Sequence, residues 1–210
     1  MKPRFTPPTN SYGGYIFDCD GTLVDTMPLH HTAWSEALAL ANSGIDFTWD
    51  LFVSRAGMSL EQTAHELGAQ FEVALDVTTV VGHQRRVYAG LATKVAPIAE
   101  VVAFAETLYR QGLPLAVASG SAKPDVLAVL KQVGIATWFR SVLGPGDVAR
   151  GKPFPDIFLL AASNLEQKPE GCLVIEDGQM GIEAARRAGM DCVVVGPPPH
   201  VLPTLAVKIG

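Results

Sequence analysis

The amino-acid sequence predicts an α/β fold in which a mostly parallel sheet carries an inserted cluster of helices. Short apolar runs alternate with helical patterns, and this alternation is typical of a parallel sheet covered on both faces. Between about residues 27 and 95 the rhythm is broken, because helical patterns follow one another without a convincing buried strand. Hydrophobic residues make up 48% of the 210-residue chain and charged residues 18%, which is enough apolar material for a substantial core.

Five apolar runs are predicted to form the strands, and four helical patterns are predicted to cover the sheet. Gly112, Gly134 and Gly189 each follow a helical pattern and are expected to end a helix. The three prolines at 197–199 are expected to end the last strand. We predict strands over 15–17, 115–118, 142–143, 173–175 and 192–195, and helices over 98–111, 124–133, 156–164 and 180–188.

The insert is predicted to be an α-helical cap between the first and second strands. The β-branched run 77–81 favours a strand locally, but a purely helical cluster is the simplest insert, so we predict a helix there as well. The cap helices are expected over 30–41, 60–67 and 71–91. The domains are therefore predicted as a discontinuous core of residues 1–26 and 96–210 and a cap of residues 27–95.

Charge and cysteine content narrow the classes of protein to which the chain can belong. The formal net charge is −5 and no basic run stands out, which disfavours a nucleic-acid partner. Cys19, Cys172 and Cys192 are odd in number and far apart, so we expect reduced thiols and a cytoplasmic protein. The first residues lack the apolar segment of a signal peptide, and no stretch has the length of a membrane span.

The first chemical motif is Asp18-Cys19-Asp20-Gly21-Thr22, which directly follows the first predicted strand. Two carboxylates two positions apart at a strand end can face one cleft while the residue between them points elsewhere. One carboxylate could then attack an electrophile while the other exchanges a proton. The alternative is an ordinary acidic turn or helix cap.

Two further motifs flank predicted elements of the core. One directly follows the second strand, and the other directly precedes the third of the covering helices. Ser119 and Gly120 offer a hydroxyl and backbone N–H groups that could cradle an anion. Taken alone, this segment is better explained as an ordinary strand-to-helix turn capped by a serine. Lys152 lies on a loop stiffened by Pro153 and Pro155, where it could neutralise a transferring phosphoryl group. The alternative for Lys152 is a solvated surface side chain.

The fourth motif is the pair Glu176 and Asp177 at the end of an apolar strand. Buried carboxylates need compensation, and Mg²⁺ is a hard cation that prefers such oxygen ligands. A capping role for the next helix is the alternative. Parallel sheets gather their strand ends at one edge, so the four motifs are expected to meet in a shared crevice.

The order of the four motifs resembles that of the haloacid dehalogenase (HAD) superfamily over roughly residues 14–195. The resemblance lies in FDCDGTLVDT and VIEDGQMGIEAARRAGM, with support from GKPFPDIF and the weaker ASGS. It implies a Rossmann-like parallel sheet core with an inserted α-helical cap of the type called C1. Within the superfamily, the chain is most similar to the β-phosphoglucomutases and sugar-phosphate phosphatases.

The resemblance also implies roles for the residues at matching positions. Asp18 would be the nucleophile that forms an aspartyl-phosphate, and Asp20 would be the general acid and base. Ser119, Gly120 and Lys152 would bind the phosphoryl group. Mg²⁺ would be held by Asp18, the Asp20 backbone carbonyl and Asp177, with Glu176 acting directly or through water.

The expected function is a Mg²⁺-dependent phosphatase of a small phosphorylated metabolite, with a sugar phosphate as the expected substrate. A β-phosphoglucomutase-type phosphomutase is the alternative, and a non-catalytic metabolite-binding protein of the same fold is a remote one. Mutases of the subgroup carry a cap arginine where this chain has Leu60, and Arg55 is out of register, which favours the phosphatase. We expect a monomer, with a homodimer as the alternative.

Three cap-side residues lie at positions matching the hexose-phosphate subgroup. Thr26, His30 and Trp34 are expected near the hinge and the entry to the cap. His30 could couple cap closure to proton transfer by Asp20, or it could be an ordinary first-turn surface residue. Trp34 could equally belong to the core of the cap.

Overall fold

The computed structural model describes residues 4–92 and 95–196. Its centre is a five-stranded sheet in which every pair of neighbouring strands is parallel, in the order β3-β2-β1-β4-β5. The predicted α/β class with a parallel sheet is confirmed. The strands are β1 Gly14–Phe17, β2 Leu115–Ala118, β3 Ser141–Leu143, β4 Cys172–Glu176 and β5 Asp191–Val194.

Among the described residues, four α-helices pack against this sheet, and four more occupy the insert between β1 and β2. The insert helices are α1 Met27–Leu40, α2 Trp49–Val53, α3 Leu60–Gln70 and α4 Val77–Leu91. The covering helices are α5 Ala99–Arg110, α6 Lys123–Gln132, α7 Asp156–Asn164 and α8 Gln179–Ala188.

Alternating side chains of β1 fill the two sides of the sheet, as the period of a strand requires. Tyr15 and Phe17 belong to one apolar cluster with residues of α5 and α6, whereas Ile16 belongs to a second cluster with residues of α7 and α8. Because both faces are buried, β1 is apolar throughout its length. Polar side chains therefore begin only where the strand ends, at Asp18.

The insert helices enclose an apolar cluster of their own around Trp34, Leu38, Phe52 and Leu67. Their separate core agrees with a cap, although the division at residues 26 and 96 stays a prediction. Within the described residues 4–92 and 95–196, no helix combines the length and the apolar character needed to cross a membrane.

The details of the insert differ from the sequence prediction. The helix expected over 71–91 begins instead at Val77, and the short α2 was not predicted. The β-branched residues of α4 are nevertheless helical, because Asp76 accepts a hydrogen bond from the Thr79 N–H and Val80 is buried against the insert core. The prolines at 197–199 lie outside the described residues.

Candidate active site

The carboxyl ends of three neighbouring strands bring distant motifs to one edge of the sheet. Phe17 of β1 pairs with Val117 of β2 and with Ile175 of β4. Asp18 follows directly and donates its backbone N–H to the Ile175 carbonyl at 2.9 Å. The parallel register therefore places the nucleophile candidate beside the acidic pair that ends β4.

Lys152 is buried among acidic groups, contrary to the alternative of a solvated surface lysine. Its ammonium group lies 2.7 Å from Asp18 Oδ1 and 2.5 Å from Glu176 Oε1, and the whole residue is only 2% exposed. It also lies 5.1 Å from the centre of the Phe158 ring. Although burial opposes its charge, the two carboxylates raise the pKa of Lys152, which stays protonated.

The acidic pair of the fourth motif has two different environments. Glu176 Oε2 accepts hydrogen bonds from the N–H groups of Asp177 and Gly178, both at 2.7 Å, so Glu176 orders the turn into α8 as well as binding Lys152. Asp177 Oδ1 accepts a hydrogen bond from Thr22 Oγ1 at 3.2 Å. Asp177 is thereby tied to the first motif.

Carboxylate oxygens of Asp18, Glu176 and Asp177 lie within 4.8 Å of one another. Burial, with the charge of Glu176 and Asp20, raises the pKa of Asp18 to about 8 despite the opposing Lys152 ammonium. Burial, with the charges of Glu176 and Asp18, also raises the pKa of Asp177. Three carboxylates face a single ammonium group, and this all-oxygen donor set fits a hard divalent cation.

Asp20 has a separate set of partners on the other side of the motif. Its Oδ1 accepts hydrogen bonds from Thr26 Oγ1 at 2.6 Å and from His30 Nε2 at 3.2 Å, and its Oδ2 accepts one from Ser121 Oγ at 2.6 Å. Burial acts to raise the pKa of Asp20, but His30 and these hydrogen bonds outweigh it and hold the pKa well below its usual range. The two carboxylates of the first motif thus have opposite shifts.

His30 contacts two residues of α4, so it is not the exposed first-turn residue that the sequence left open as an alternative. Its Nδ1 lies 3.2 Å from Gln84 Nε2, and its ring stacks on Tyr88 with centroids 4.0 Å apart. Gln84 is only 1% exposed. The sequence analysis missed Gln84, Tyr88 and Ser121, although polar residues four positions apart on one helix face could have indicated the first two.

A segment of the insert lies directly over the strand-end turns. A side chain on Gly120 would place its Cβ 2.6 Å from the Gly57 carbonyl oxygen, and one on Gly178 would place it 2.7 Å from the Ala56 carbonyl oxygen. Gly57 itself has a φ of 90°, in the left-handed region that favours glycine. The turn formed by residues 55–58 therefore closes over the second and fourth motifs.

Two cavities meet beside Asp20. The smaller cavity has a volume of about 60 Å³ and is lined by Asp18 and Ser119, among others. The larger cavity has a volume of about 230 Å³ and lies between α4 and α6. Both are lined by Asp20, His30, Leu60 and Ser121. Trp34 packs in the insert core and also lines the smaller cavity, and a role for it in substrate binding stays a prediction.

Comparisons with known proteins agree with this arrangement. The model of the haloacid dehalogenase-like hydrolase family matches residues 12–189. The chain is 34% identical over 187 residues to fructose-1-phosphate phosphatase YqaB of Escherichia coli strain K12. The matched region covers 88% of this chain and 96% of that protein. It is 31% identical over 189 residues to beta-phosphoglucomutase of Bacillus subtilis strain 168, covering 86% and 82% of the two chains.

A solved structure has the same architecture. CbbY from Rhodobacter sphaeroides, as a mutant in complex with xylulose-(1,5)bisphosphate, superimposes with a TM-score of 0.76 at 25% identity, covering 93% of this chain and 92% of that one. The expected resemblance, the Rossmann-like fold and the expected enzyme class, a HAD-like hydrolase with phosphatases among its relatives, are confirmed by these matches together. The chain belongs to the haloacid dehalogenase-like hydrolase family.

Proposed function

We propose that this protein is a Mg²⁺-dependent phosphatase that hydrolyses a small phosphorylated metabolite, with a sugar phosphate as the substrate class. The observation that carries the proposal is the cluster of buried Asp18, Lys152 and Glu176 with half-buried Asp177, next to Asp20. Phosphoryl transfer needs a nucleophile, a positive charge that neutralises the phosphoryl oxygens, and a group that carries a proton. Asp18, Lys152 and Asp20 would supply these three functions. The names of the phosphatase relatives support the same class.

The metal site in this proposal uses the oxygens already gathered at the strand ends. Asp18, Asp177 and the Asp20 backbone carbonyl would hold Mg²⁺ directly. Glu176 would act through water, because both of its oxygens already accept hydrogen bonds from Lys152 and from the turn. When bound, the cation would neutralise charge on the phosphoryl oxygens and keep Asp18 ionised.

In the first step Asp18 attacks phosphorus and the bond to the leaving oxygen breaks. Ser119 Oγ, the Gly120 N–H and Lys152 hold the phosphoryl oxygens, while Asp20 gives its proton to the leaving oxygen. Asp20 is ionised in the free enzyme, but the negative charge of a bound phosphate raises its pKa, so the acid form belongs to the substrate complex.

In the second step Asp20, now ionised, takes a proton from water as that water attacks the phosphorus of the aspartyl-phosphate. Inorganic phosphate leaves, Asp18 is regenerated, and Asp20 returns its proton to the solvent when the phosphate departs. Thr26 and His30 hold the Asp20 carboxylate in one orientation through both steps, since each donates to the same Oδ1. His30 is also the contact through which the insert reaches Asp20.

A phosphomutase is the second candidate, because Arg55 lines the same cavity as Asp18 and brings a cation from the insert. We favour the phosphatase for two reasons. Leu60 replaces the cap arginine that the mutase resemblance requires. In addition, the phosphatase relative is matched over 96% of its length, against 82% for the mutase.

We also propose a cytoplasmic location and a monomeric state. All three cysteines are unpaired, with Cys19 and Cys172 buried, which suits the reducing cytoplasm. The site draws its residues from one chain, so a monomer suffices for the reaction.

The test is a screen of phosphorylated metabolites with Mg²⁺ and with EDTA, scored for free phosphate and for isomerised product. We expect phosphate release that requires Mg²⁺, and its loss in Asp18→Asn but not in Asp46→Asn, an exposed control. Conversion of β-glucose 1-phosphate to glucose 6-phosphate without phosphate release would establish the mutase instead. Mg²⁺ binding without any turnover would favour the non-catalytic protein.

A further inference from the structure

The segment that precedes β1 reaches the strand ends of the candidate active site through Arg4. The Gly196 N–H, just after β5, donates to the Arg4 carbonyl at 2.6 Å, and Arg4 Nε donates back to the Gly196 carbonyl at 3.0 Å. The side chain of Arg4 is only 13% exposed. Its backbone and its Nε are thus fixed by one residue, and its two terminal nitrogens contact a different part of the chain.

The guanidinium group of Arg4 contacts both ends of one turn. Nη2 donates to the Gly21 carbonyl at 3.4 Å, and Nη1 lies 3.6 Å from Asp25 Oδ1. The turn formed by residues 21–25 is closed by a hydrogen bond from the Gly21 N–H to the Val24 carbonyl at 2.8 Å. Because a planar guanidinium presents several donors in a fixed fork, it can hold two groups at once. Arg4 therefore clamps the turn from outside.

Asp25 depends on Arg4 for its compensating charge. Its Oδ1 is buried without a hydrogen bond to any described residue, and within the described part of the chain Arg4 is the only cation at ion-pair distance. A carboxylate oxygen removed from water is costly without such a partner. The Asp25 N–H also donates to the Ala96 carbonyl at 2.9 Å, which joins the segments that lead into and out of the insert helices.

The turn 21–25 is in contact with both carboxylates that the proposed reaction needs beside Asp18. Gly21 lies so close to Asp177 that a Cβ on it would clash with the carboxylate of that residue. Thr26, directly after the turn, donates to the Asp20 carboxylate at 2.6 Å. A displaced turn would therefore move the Asp20 backbone, the support of the Asp20 side chain and the contact with Asp177 together.

The segment before β1 has other attachments to the core. Phe5 is only 3% exposed, and its ring lies 5.3 Å from that of Phe104 in the apolar cluster under the sheet. Tyr12 Oη donates to Asp191 Oδ2 at 2.7 Å at the start of β5. The segment is thus held at two points that do not involve the guanidinium group. The charge of Arg4 is directed at the turn instead.

We propose that Arg4 is a positioning residue for the phosphoryl-transfer site, which acts by fixing the turn 21–25. It would keep the Asp20 carbonyl and Asp177 in place for Mg²⁺, and the Asp20 carboxylate in place for the leaving oxygen. This inference rests on the proposed function and adds a residue that none of the four motifs contains. Arg4 takes no part in the chemical step.

The first test is the binding of Mg²⁺ to the protein without substrate, measured by calorimetry. Arg4→Gln is expected to raise Kd by about 10-fold, as is typical when a group that orients the ligands of a metal is lost. Tyr12→Phe is the matched control, because it removes the bond to Asp191 and leaves the turn untouched, so its Kd should be that of the wild type.

Two results of this measurement would overturn the inference. One is a wild-type Kd in Arg4→Gln, even if Tm is lower, since Arg4 would then serve stability alone. The other is an equal rise of Kd in Tyr12→Phe, which would assign the effect to attachment of the whole segment.

The second test is the dependence on the leaving group, which a purely stabilising residue would not change. In Arg4→Gln the ratio of kcat/KM for alkyl phosphates to that for aryl phosphates is expected to fall by about 10-fold, because Asp20 is misplaced. Alkyl leaving groups need its proton more than aryl ones do. Equal losses for the two classes would contradict the positioning of Asp20 by Arg4.

Asp25→Asn approaches the same contact from the other side and protects the test against misfolding of Arg4→Gln. Asparagine keeps the shape of the carboxylate and removes its charge, so this variant should also raise the Kd for Mg²⁺. If Arg4 acts through Asp25, the double variant should raise Kd by less than the product of the two single effects. Effects that multiply fully would show that the two residues act independently, which contradicts the proposal.

Amide hydrogen exchange separates this inference from the proposed function. In Arg4→Gln the N–H groups of Gly21 and Asp25 should exchange faster than in the wild type, whereas those of β4 should not. Unchanged exchange at Gly21 and Asp25 would overturn the inference. Absence of Mg²⁺-dependent phosphate release by the wild type would refute the proposed function, and the exchange rates would still decide whether Arg4 fixes the turn.

Discussion

The ammonium group of Lys152 lies 2.7 Å from Asp18 Oδ1, although the two residues are 134 positions apart in the chain. The same ammonium group binds Glu176, so one cation joins the ends of β1 and β4 to the loop that follows β3. All three side chains are buried. This contact is therefore expected to matter both for stability and for the proposed reaction.

Replacing Lys152 by Met is therefore expected to affect both properties. Turnover should fall by about 10²–10³-fold, because a charge that stabilises the transferring phosphoryl group is lost. Removing one partner of a buried pair should also lower the free energy of unfolding by roughly 3–5 kcal/mol. Steady-state kinetics and denaturant titration measure the two effects. Lys131→Met, at an exposed position, is the control, and a Lys152→Met enzyme resembling it would contradict the prediction.

Replacing Asp20 by Ala is expected to reduce hydrolysis of alkyl phosphates far more than that of aryl phosphates. Alkyl leaving groups need a proton from Asp20, and general acid catalysis contributes typically about 10²–10⁴-fold. Aryl leaving groups depart as stable anions and need this proton much less. The measurement is the ratio of kcat/KM for the two classes in wild type and variant. Equal losses for both classes would argue against Asp20 as the acid.

Replacing Gly181 by Ala is expected to disturb the acidic cluster from the first turns of α8. A Cβ there would lie only 1.7 Å from Glu176 Oε1, so Glu176 would have to move away from Lys152. Overpacking of this kind costs about 1–3 kcal/mol, and turnover should fall with it. Thermal unfolding and kinetics report both.

Gly82→Ala provides the control for this substitution. Gly82 lies within α4, is exposed, and has no atom within 4 Å of its ideal Cβ. Alanine should therefore leave stability unchanged or raise it by up to about 1 kcal/mol, because helix propensity improves. If Gly181→Ala behaves like Gly82→Ala, Glu176 is not held in the tight position described.

Removing Mg²⁺ is expected to lower Tm, and by more at high pH than at low pH. The folded pKa of Asp18 is about 8 against an ordinary value of 3.8, so the folded protein holds a proton that the unfolded chain releases in this range. Stability without metal consequently falls as pH rises between these two values. Mg²⁺ binds the ionised carboxylates of the folded state and offsets the loss.

The measurement is the difference in Tm between Mg²⁺ and EDTA at about pH 5 and about pH 8. The difference should be larger at the higher pH in the wild type and much smaller in Asp177→Asn. A difference that is larger at the lower pH would contradict the assignment of these carboxylates to the metal. So would an undiminished difference in Asp177→Asn.

Much of the sheet and its chemical edge could be predicted from local sequence alone. An apolar run that stops abruptly at Asp18 or at Glu176 marks the carboxyl end of a buried strand, because both faces of a parallel strand are covered. The order of such ends along the chain then predicts which groups share an edge. The helices of the insert could also be predicted, because the spacing of apolar residues along a helix is a local property of the sequence.

The long-range contacts of Asp20 and His30 came only from the tertiary structure. The bond between Ser121 and Asp20 spans 101 positions, and that between Gln84 and His30 spans 54. The burial of Arg55 likewise depends on how the insert packs. Local patterns determine which segments are helices, strands or turns, whereas the approach of two distant polar side chains depends on how those segments pack together.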